Sequence, residues 1–314
     1  MADNFIPFSI ATSPVAWMLG ILGLFVWMLF RPNATAPWKI LALILLFALE
    51  PFSVAVLNAG DRASPLKYDW ILQSIDQSLG FTAFQFARLL SAADNRFLFE
   101  VYQSLSAAMI VWYGIHVSIR QGQPRKLLYA YLATFLAGPC LYLIVPAIGP
   151  RHAFAHLFPM VDPAVTPVTV ALKGWSNAMP SLHFATAFLL VLFSGTSRVL
   201  RAIAWAYLAG TAAATLAFEH YVIDLVVGVP FACFVAALAH RRVREAAGYL
   251  GVVAAWLGSI RFAAPALVHH PTLLRCLVVL TLGLAMKAVL AAPRVGHRET
   301  AKSADRVSLP VPER

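Results

Sequence analysis

Apolar residues in this chain run on far longer than a soluble helix needs, and short polar segments separate the runs at intervals. Windows suited to crossing a bilayer fall at 14–30, 38–57, 97–119, 127–148, 180–196, 199–218, 222–240, 246–263 and 272–292. About 20 apolar residues make one helical crossing, so the first and fifth windows are short. Inside lipid a backbone is satisfied only in helices or closed barrels, and runs of this length fit helices. The pattern therefore predicts an all-α protein, a polytopic membrane helical bundle. It divides into N-terminal transmembrane helices (1–57), an outer-side interfacial segment (58–96), a membrane core (97–240) that holds the candidate chemistry considered below, C-terminal transmembrane helices (241–292) and a cytoplasmic tail (293–314). The tail is polar, carries Pro310 and Pro312, has no periodicity and is expected to be disordered. Within 58–96, the spacing Trp70-Ile71…Ile75…Leu79 and Phe84…Arg88…Leu90 predicts amphipathic helices lying at the interface. They would form a structural cap or help to admit substrate.

Composition agrees: 314 residues with 60% hydrophobic and 12% charged content exclude an ordinary soluble domain. Residues 1–13 hold Asp3 and no Lys or Arg, and no small-residue cleavage pattern follows. The first apolar run thus reads as a retained helix rather than a removable signal. Cys140, Cys233 and Cys276 all fall inside apolar windows and read as small core residues.

A net charge of +10 raises the question of nucleic acid, and the placement of the charges answers it. Arg31, Lys39, Arg120, Arg125, Lys126, Arg198, Arg201, Arg241, Arg242 and Arg244 lie on alternate loops, followed in the tail by Arg294, Arg298, Lys302, Arg306 and Arg314. The opposite side carries Arg62, Lys67, Arg88, Arg96, Arg151, Lys173, Arg261 and Arg275. By the positive-inside rule the richer set is cytoplasmic, with the N-terminus outside and the C-terminus inside. The basic balance marks topology, and no nucleic-acid partner is expected.

Two short polar motifs carry the chemistry. His183 closes Pro180-Ser181-Leu182-His183, and His220 opens His220-Tyr221-Val222-Ile223-Asp224. Two helices of roughly 17 residues fit between them, crossing and returning, so both histidines should emerge on one face. Pro180 suits the first turn of a helix, where free N–H groups and the dipole favour a phosphate. Ser181 adds a hydroxyl. Alternatively, Ser181 and His183 simply cap and orient that helix. His220 and Asp224 stand four apart, on one face. The aspartate can then accept Nδ1–H and leave Nε2 as the nucleophilic lone pair. The plainer alternative is a buried His–Asp pair that holds helices together.

Arg151, after Gly149-Pro150, is placed to clamp phosphate oxygens, and Lys173 is a further cation ahead of the first motif. Either is also explicable as an interfacial snorkelling cation. Glu219 flanks the second motif, Glu50-Pro51 marks a helix kink, and His152, His156, His269 and His270 lie on outer loops. No metal-ligand spacing, Gly-rich nucleotide loop or nucleophile elbow accompanies the motifs, so no metal or cofactor is expected.

These strings resemble the second and third signature motifs of the type 2 phosphatidic acid phosphatase superfamily. Their form is similar to the branch that contains inositol phosphorylceramide synthase and sphingomyelin synthase. The likeness of pattern spans 60–240, and the specific motifs occupy about ten positions. The resemblance implies a six-helix membrane core, here with additional flanking helices, and a site at the outer face. It implies His220 as nucleophile, Asp224 as its orienting carboxylate and His183 as general acid, with Arg151, Ser181, Lys173 and Tyr221 contacting substrate. Two departures matter: the phosphatases' Lys…Arg-Pro motif is missing, and Ala213-Ala214 stands where they carry Ser-Arg. Both tilt the expectation from phosphatase towards a phosphotransferase moving a phosphoryl or phospho-head group from a lipid donor to an alcohol. Water as acceptor would make the chain a lipid phosphate or polyprenyl diphosphate phosphatase. A transporter or proton relay is the reading from another class. The compact chain points to a bacterial inner membrane, with the site on the periplasmic face.

Overall fold

The computed structural model describes residues 55–62, 64–118, 123–154 and 167–307, the stretch from 291 by its backbone alone. The expected crossing 14–30, most of 38–57, Glu50 and His156 lie outside these residues. After helix α1 (55–62), strand β1 (Leu66–Lys67) leads into α2 (Asp69–Leu79), α3 (Ala83–Arg88), α4 (Ala92–Gln103), α5 (Leu105–Ser118) and α6 (Pro124–Tyr142). The short α7 (Pro150–Ala153) and strand β2 (Val170–Ala171) follow. The chain then forms α8 (Leu182–Leu192), α9 (Arg198–Phe218), α10 (Val222–Ala239), α11 (Val243–Phe262), α12 (Ala264–His269) and α13 (Pro271–Val307).

Local chemistry accounts for many of the boundaries. Thr82 with Gln85, and Ser91 with Asp94, close reciprocal capping boxes that start α3 and α4. Ser181 and Ser197 each accept the N–H three residues on, at 3.3 Å, and so cap α8 and α9. Pro124 and Pro150 occupy first turns, where no N–H is missed.

Among the described residues, three helices are long and apolar enough to cross a membrane: Arg198–Phe218, Val222–Ala239 and Pro271–Leu290. The middle one is the axis of the bundle. Its apolar window is 78% buried against 28% and 22% for the others, because it packs on α6, α8, α11 and α13 at once. Gly228 allows the tight contact with α8: a Cβ there would meet the Ser181 carbonyl oxygen at 3.0 Å. β1 pairs antiparallel with β2, Leu66 opposite Ala171. Beneath that pair the buried Lys67 reaches Asp61 at 2.8 Å and Ser176 at 2.7 Å.

Several expectations are revised. The window 97–119 holds parts of two helices, α4 and α5, which break at Ser104. Ser104 bonds back to the Val101 carbonyl and contacts the Tyr207 hydroxyl. The fifth window contains an 11-residue helix, about 16 Å long and half a hydrocarbon core. The segment 58–96 is not uniformly interfacial, since 71–76 of α2 is buried throughout. That helix is clasped by α10, α12 and α13. The last helix runs from Pro271 through Pro293 to Val307. Ala, Arg, Glu and Lys in 294–307 are strong helix formers even without an apolar face. Of the cysteines only Cys233 is buried, while Cys140 and Cys276 face outward.

α2 is buried for a reason that its sequence pattern partly conceals. Asp76 accepts the N–H groups of Val222 at 2.7 Å and Ile223 at 3.0 Å, capping the central helix from another element. Asp76→Ala is expected to lower stability by about 2–4 kcal/mol, because one buried and one partly buried N–H group lose their acceptor. Asp76→Asn, which keeps one oxygen, should cost less than half as much. Thermal unfolding in detergent, followed by circular dichroism, reads the difference.

Candidate functional site

The first turns of α8 and α10 meet at one end of the bundle, and the two histidine motifs meet with them. The Ser181 N–H donates to the Asp224 carbonyl oxygen at 3.2 Å, fixing one turn against the other. The ring centroids of His183 and His220 lie 6.4 Å apart. The expected convergence on one face is therefore present, although the two helices between the histidines are unequal in length, 11 and 21 residues.

His220 is 2% exposed. Its Nδ1 lies 2.9 Å from the Ala178 carbonyl oxygen and 3.4 Å from Asp224 Oδ2. Both neighbours are acceptors, so Nδ1 carries the proton and Nε2 keeps its lone pair. Asp224 Oδ2 also accepts the Tyr221 N–H at 2.8 Å, and its Oδ1 is buried with no hydrogen-bond partner among the described residues. Asp224 thus shares the neighbourhood of Nδ1 with a backbone carbonyl. His183 is held differently, by stacking on Tyr102 at 4.1 Å and 17°.

Arg151 reaches this end of the bundle because of Gly149. Gly149 has φ +92°, and a Cβ there would stand 2.1 Å from the Glu219 carbonyl oxygen, so only glycine lets the loop run against the residue before His220. Two positions on, Arg151 is exposed, with Cζ 5.5 Å from the centre of the Phe218 ring. Phe218 in turn packs edge-on against Tyr102. The neighbouring His152 meets the Glu219 carboxylate at 3.3 Å, and that hydrogen bond raises the imidazole above its ordinary range, against partial burial.

The other expected substrate contacts fare differently. Ser181 is wholly buried and serves as the N-cap of α8. Tyr221 is also wholly buried, and its hydroxyl donates to Asp69 Oδ1 at 2.8 Å. It is thereby tied into the frame around His220, turned away from the surface. Lys173 is exposed beyond β2 and makes no bond to the histidines among the described residues. Ala214, where the phosphatases carry a charged residue, is buried beside Leu98 and Phe218.

Sequence reasoning missed Asp69, Asp76, Tyr102 and the Ala178 carbonyl. Asp69 accepts the N–H of Gly149 at 2.9 Å and of Ile148 at 3.1 Å. Burial, the largest influence, lifts its carboxyl to about 6 against the pull of those bonds and of Tyr221, and the nearby Asp224 adds to the rise. Burial likewise raises Asp76 well above the carboxylate range. A signal was present, since Asp69, Leu72 and Asp76 lie at i, i+3 and i+7, which places two carboxylates on one stripe with an apolar residue.

The family model described as the PAP2 superfamily matches residues 70–238, more than half of the chain and from α2 through α10. No curated protein and no solved structure is significantly similar to it.

Gly149→Ala is expected to cut turnover by on the order of a hundredfold, since an added Cβ must push the Arg151 loop off the Glu219 carbonyl. Steady-state assay of the folded variant checks this. Asp69 titrates at about 6 in the folded protein and near 3.8 as a free side chain, so between those values the folded state binds the extra proton. Stability should therefore fall as pH rises from about 4 to about 6. Asp69→Asn should flatten that slope without abolishing it, because Asp76 shifts in the same direction. Unfolding midpoints measured across pH 4–7 decide it.

Proposed function

The chain belongs to the PAP2 superfamily, and from that premise we propose that it is a membrane phosphotransferase with His220 as nucleophile. It moves a phosphoryl or phospho-head group from a lipid donor to an alcohol through a phosphohistidine. One observation carries the reading: His220, its Nδ1–H engaged by Ala178 and Asp224, has Nε2 free and His183 6.4 Å away, ring to ring.

In the first step Nε2 attacks phosphorus, the N–P bond forms and the P–O bond to the lipid alcohol breaks. His183 delivers its proton to the departing oxygen. In the second step the acceptor oxygen attacks phosphorus, the N–P bond breaks, and the acceptor's proton returns to His183. Arg151 holds the non-bridging oxygens together with N–H groups at the start of α8. The corresponding groups of α10 are already engaged by Asp76 and Asp224. None of these steps calls on a metal or cofactor.

The orientation follows from charge. Lys126 Nζ approaches His240 Nδ1 at 3.4 Å at the far end of α10, where Arg241, Arg242 and Arg244 follow in the chain. If that basic end is cytoplasmic, the histidines open to the outer face, the periplasmic side of a bacterial inner membrane. The buried carboxylates Asp69, Asp76 and Asp224 gather with His220 at the site end, and the buried His116 lies at the far end beside Phe193. None of these stands at the middle of the central helix, which disfavours a proton relay across the bilayer. The missing phosphatase cations support an alcohol over water as acceptor, and with it the branch of the ceramide head-group synthases. Hydrolysis remains the second reading, favoured by the exposure of Arg151 and His152 at the mouth.

Wild-type protein and the variants His220→Ala and His183→Ala are to be placed in nanodiscs with phospholipids, a lipid phosphate, polyprenyl diphosphate and candidate alcohols. Mass spectrometry then reads the lipid products beside an assay of free phosphate. Transfer predicts a new head-group-bearing product without phosphate release, reduced at least about a thousandfold in either variant while both still fold. Wild-type rates in His220→Ala would refute the nucleophile. Phosphate release that depends on His220 would make the acceptor water.

A further inference from the structure

The two walls of the site are carried by segments distant in sequence, and they meet at one buried oxygen. Asp69 Oδ1 accepts the Gly149 N–H at 2.9 Å and the Tyr221 hydroxyl at 2.8 Å. The Ile148 N–H is shared between both oxygens of the same carboxylate, at 3.1 Å each. Gly149 lies two positions before Arg151, and Tyr221 directly follows His220. Asp69 and Tyr221 are both 0% exposed.

We infer that Asp69 and Tyr221 are positioning residues whose hydrogen bond sets the Arg151 loop in register with the His220 nucleophile. This rests on the phosphoryl-transfer reading for its effect on turnover, though not for the brace itself. A second tie joins the same segments, His152 to Glu219, but it lies at the rim with the histidine side chain 57% exposed. Exposed pairs of that kind constrain little. A buried bond to a carboxylate is stronger and better directed, so it determines how far the loop can drift. Displacement of a phosphate-binding group by about 1 Å suffices to cost on the order of a hundredfold in rate. Because α2 also caps α10 through Asp76, one helix holds both the nucleophile segment and the clamp loop.

The test uses the full chain in nanodiscs and the variants Tyr221→Phe, Asp69→Asn and Asp69→Ala. Tyr221→Phe deletes one hydroxyl from a filled space. Asp69→Asn keeps an Oδ1 acceptor, and Asp69→Ala removes the brace altogether. Hydrogen exchange of peptides spanning 148–153 and 220–224 reads the brace without any substrate. Faster exchange in both segments is expected in Tyr221→Phe and Asp69→Ala. Exchange unchanged in either segment would overturn the inference. Turnover per folded molecule reads the positioning: Tyr221→Phe should lower kcat about tenfold or more with KM changed less than about threefold. Asp69→Asn should retain most of the activity. A lowered unfolding midpoint with wild-type kcat would reduce both residues to structural glue and overturn the inference. If wild-type protein shows no His220-dependent turnover of any lipid offered, the phosphoryl-transfer reading fails, and the exchange arm still decides the brace.

Discussion

A helix that begins inside a packed bundle must find acceptors for its first N–H groups, and at α10 this requirement organises much of what surrounds it. Tyr221, Val222 and Ile223 present three such groups, two of them buried and one partly buried. Asp224 meets the first from within the helix, and Asp76 meets the other two from α2. Supplying Asp76 requires α2 to be buried beside α10, and α2 then brings Asp69 with it, two turns earlier. Asp69 in turn fixes the 148–149 backbone. The burial of a segment that looks half polar thus follows from the backbone demands of its neighbour.

The same arrangement shapes the electrostatics. Asp69, Asp76 and Asp224 gather around one helix start, where the dipole favours negative charge but is already answered. On the phosphoryl-transfer reading proposed above, a phosphate has little to gain from α10 and draws on α8 and on Arg151. Since α7 begins directly after Gly149, the arginine enters on a loop that approaches the Glu219 carbonyl more closely than any side chain allows. Arg151, His220 and His183 are therefore assembled from three separate stretches of chain, the first two set by backbone contacts and the third by the Tyr102 ring.

The two ends of the bundle differ in kind. At the site end, carboxylates and imidazoles are buried and bonded. At the other, His240 stacks on Phe193 at 5.4 Å beside Lys126, and the arginines that follow are partly or fully exposed. The 18 residues of α10 between these ends make about 27 Å, close to the thickness of a hydrocarbon core. The length of the most buried helix and the polarity of its two ends thus fit a single crossing.

The sequence by itself determined the helical class, the grouping of basic loops, and His183, His220 and Asp224 as the residues of interest. These are local properties: apolar run length, charge placement, and an i, i+4 pair at a helix start. It also offered Arg151, whose setting depends on a glycine two residues before it. What only the tertiary structure decided is how those residues are held. The Ala178 carbonyl on His220 is a backbone atom, and no side-chain pattern announces it. Tyr102 meets His183, and Asp69 meets Tyr221, across 81 and 152 positions of chain, and such pairings arise from helix packing rather than from spacing. Tyr221 shows the limit most clearly: beside His220 in sequence it looks like a substrate contact, yet the helix start turns it inward to a buried carboxylate. Adjacency along the chain fixed which residues are close, and the packing of α2 against α10 fixed which way they face.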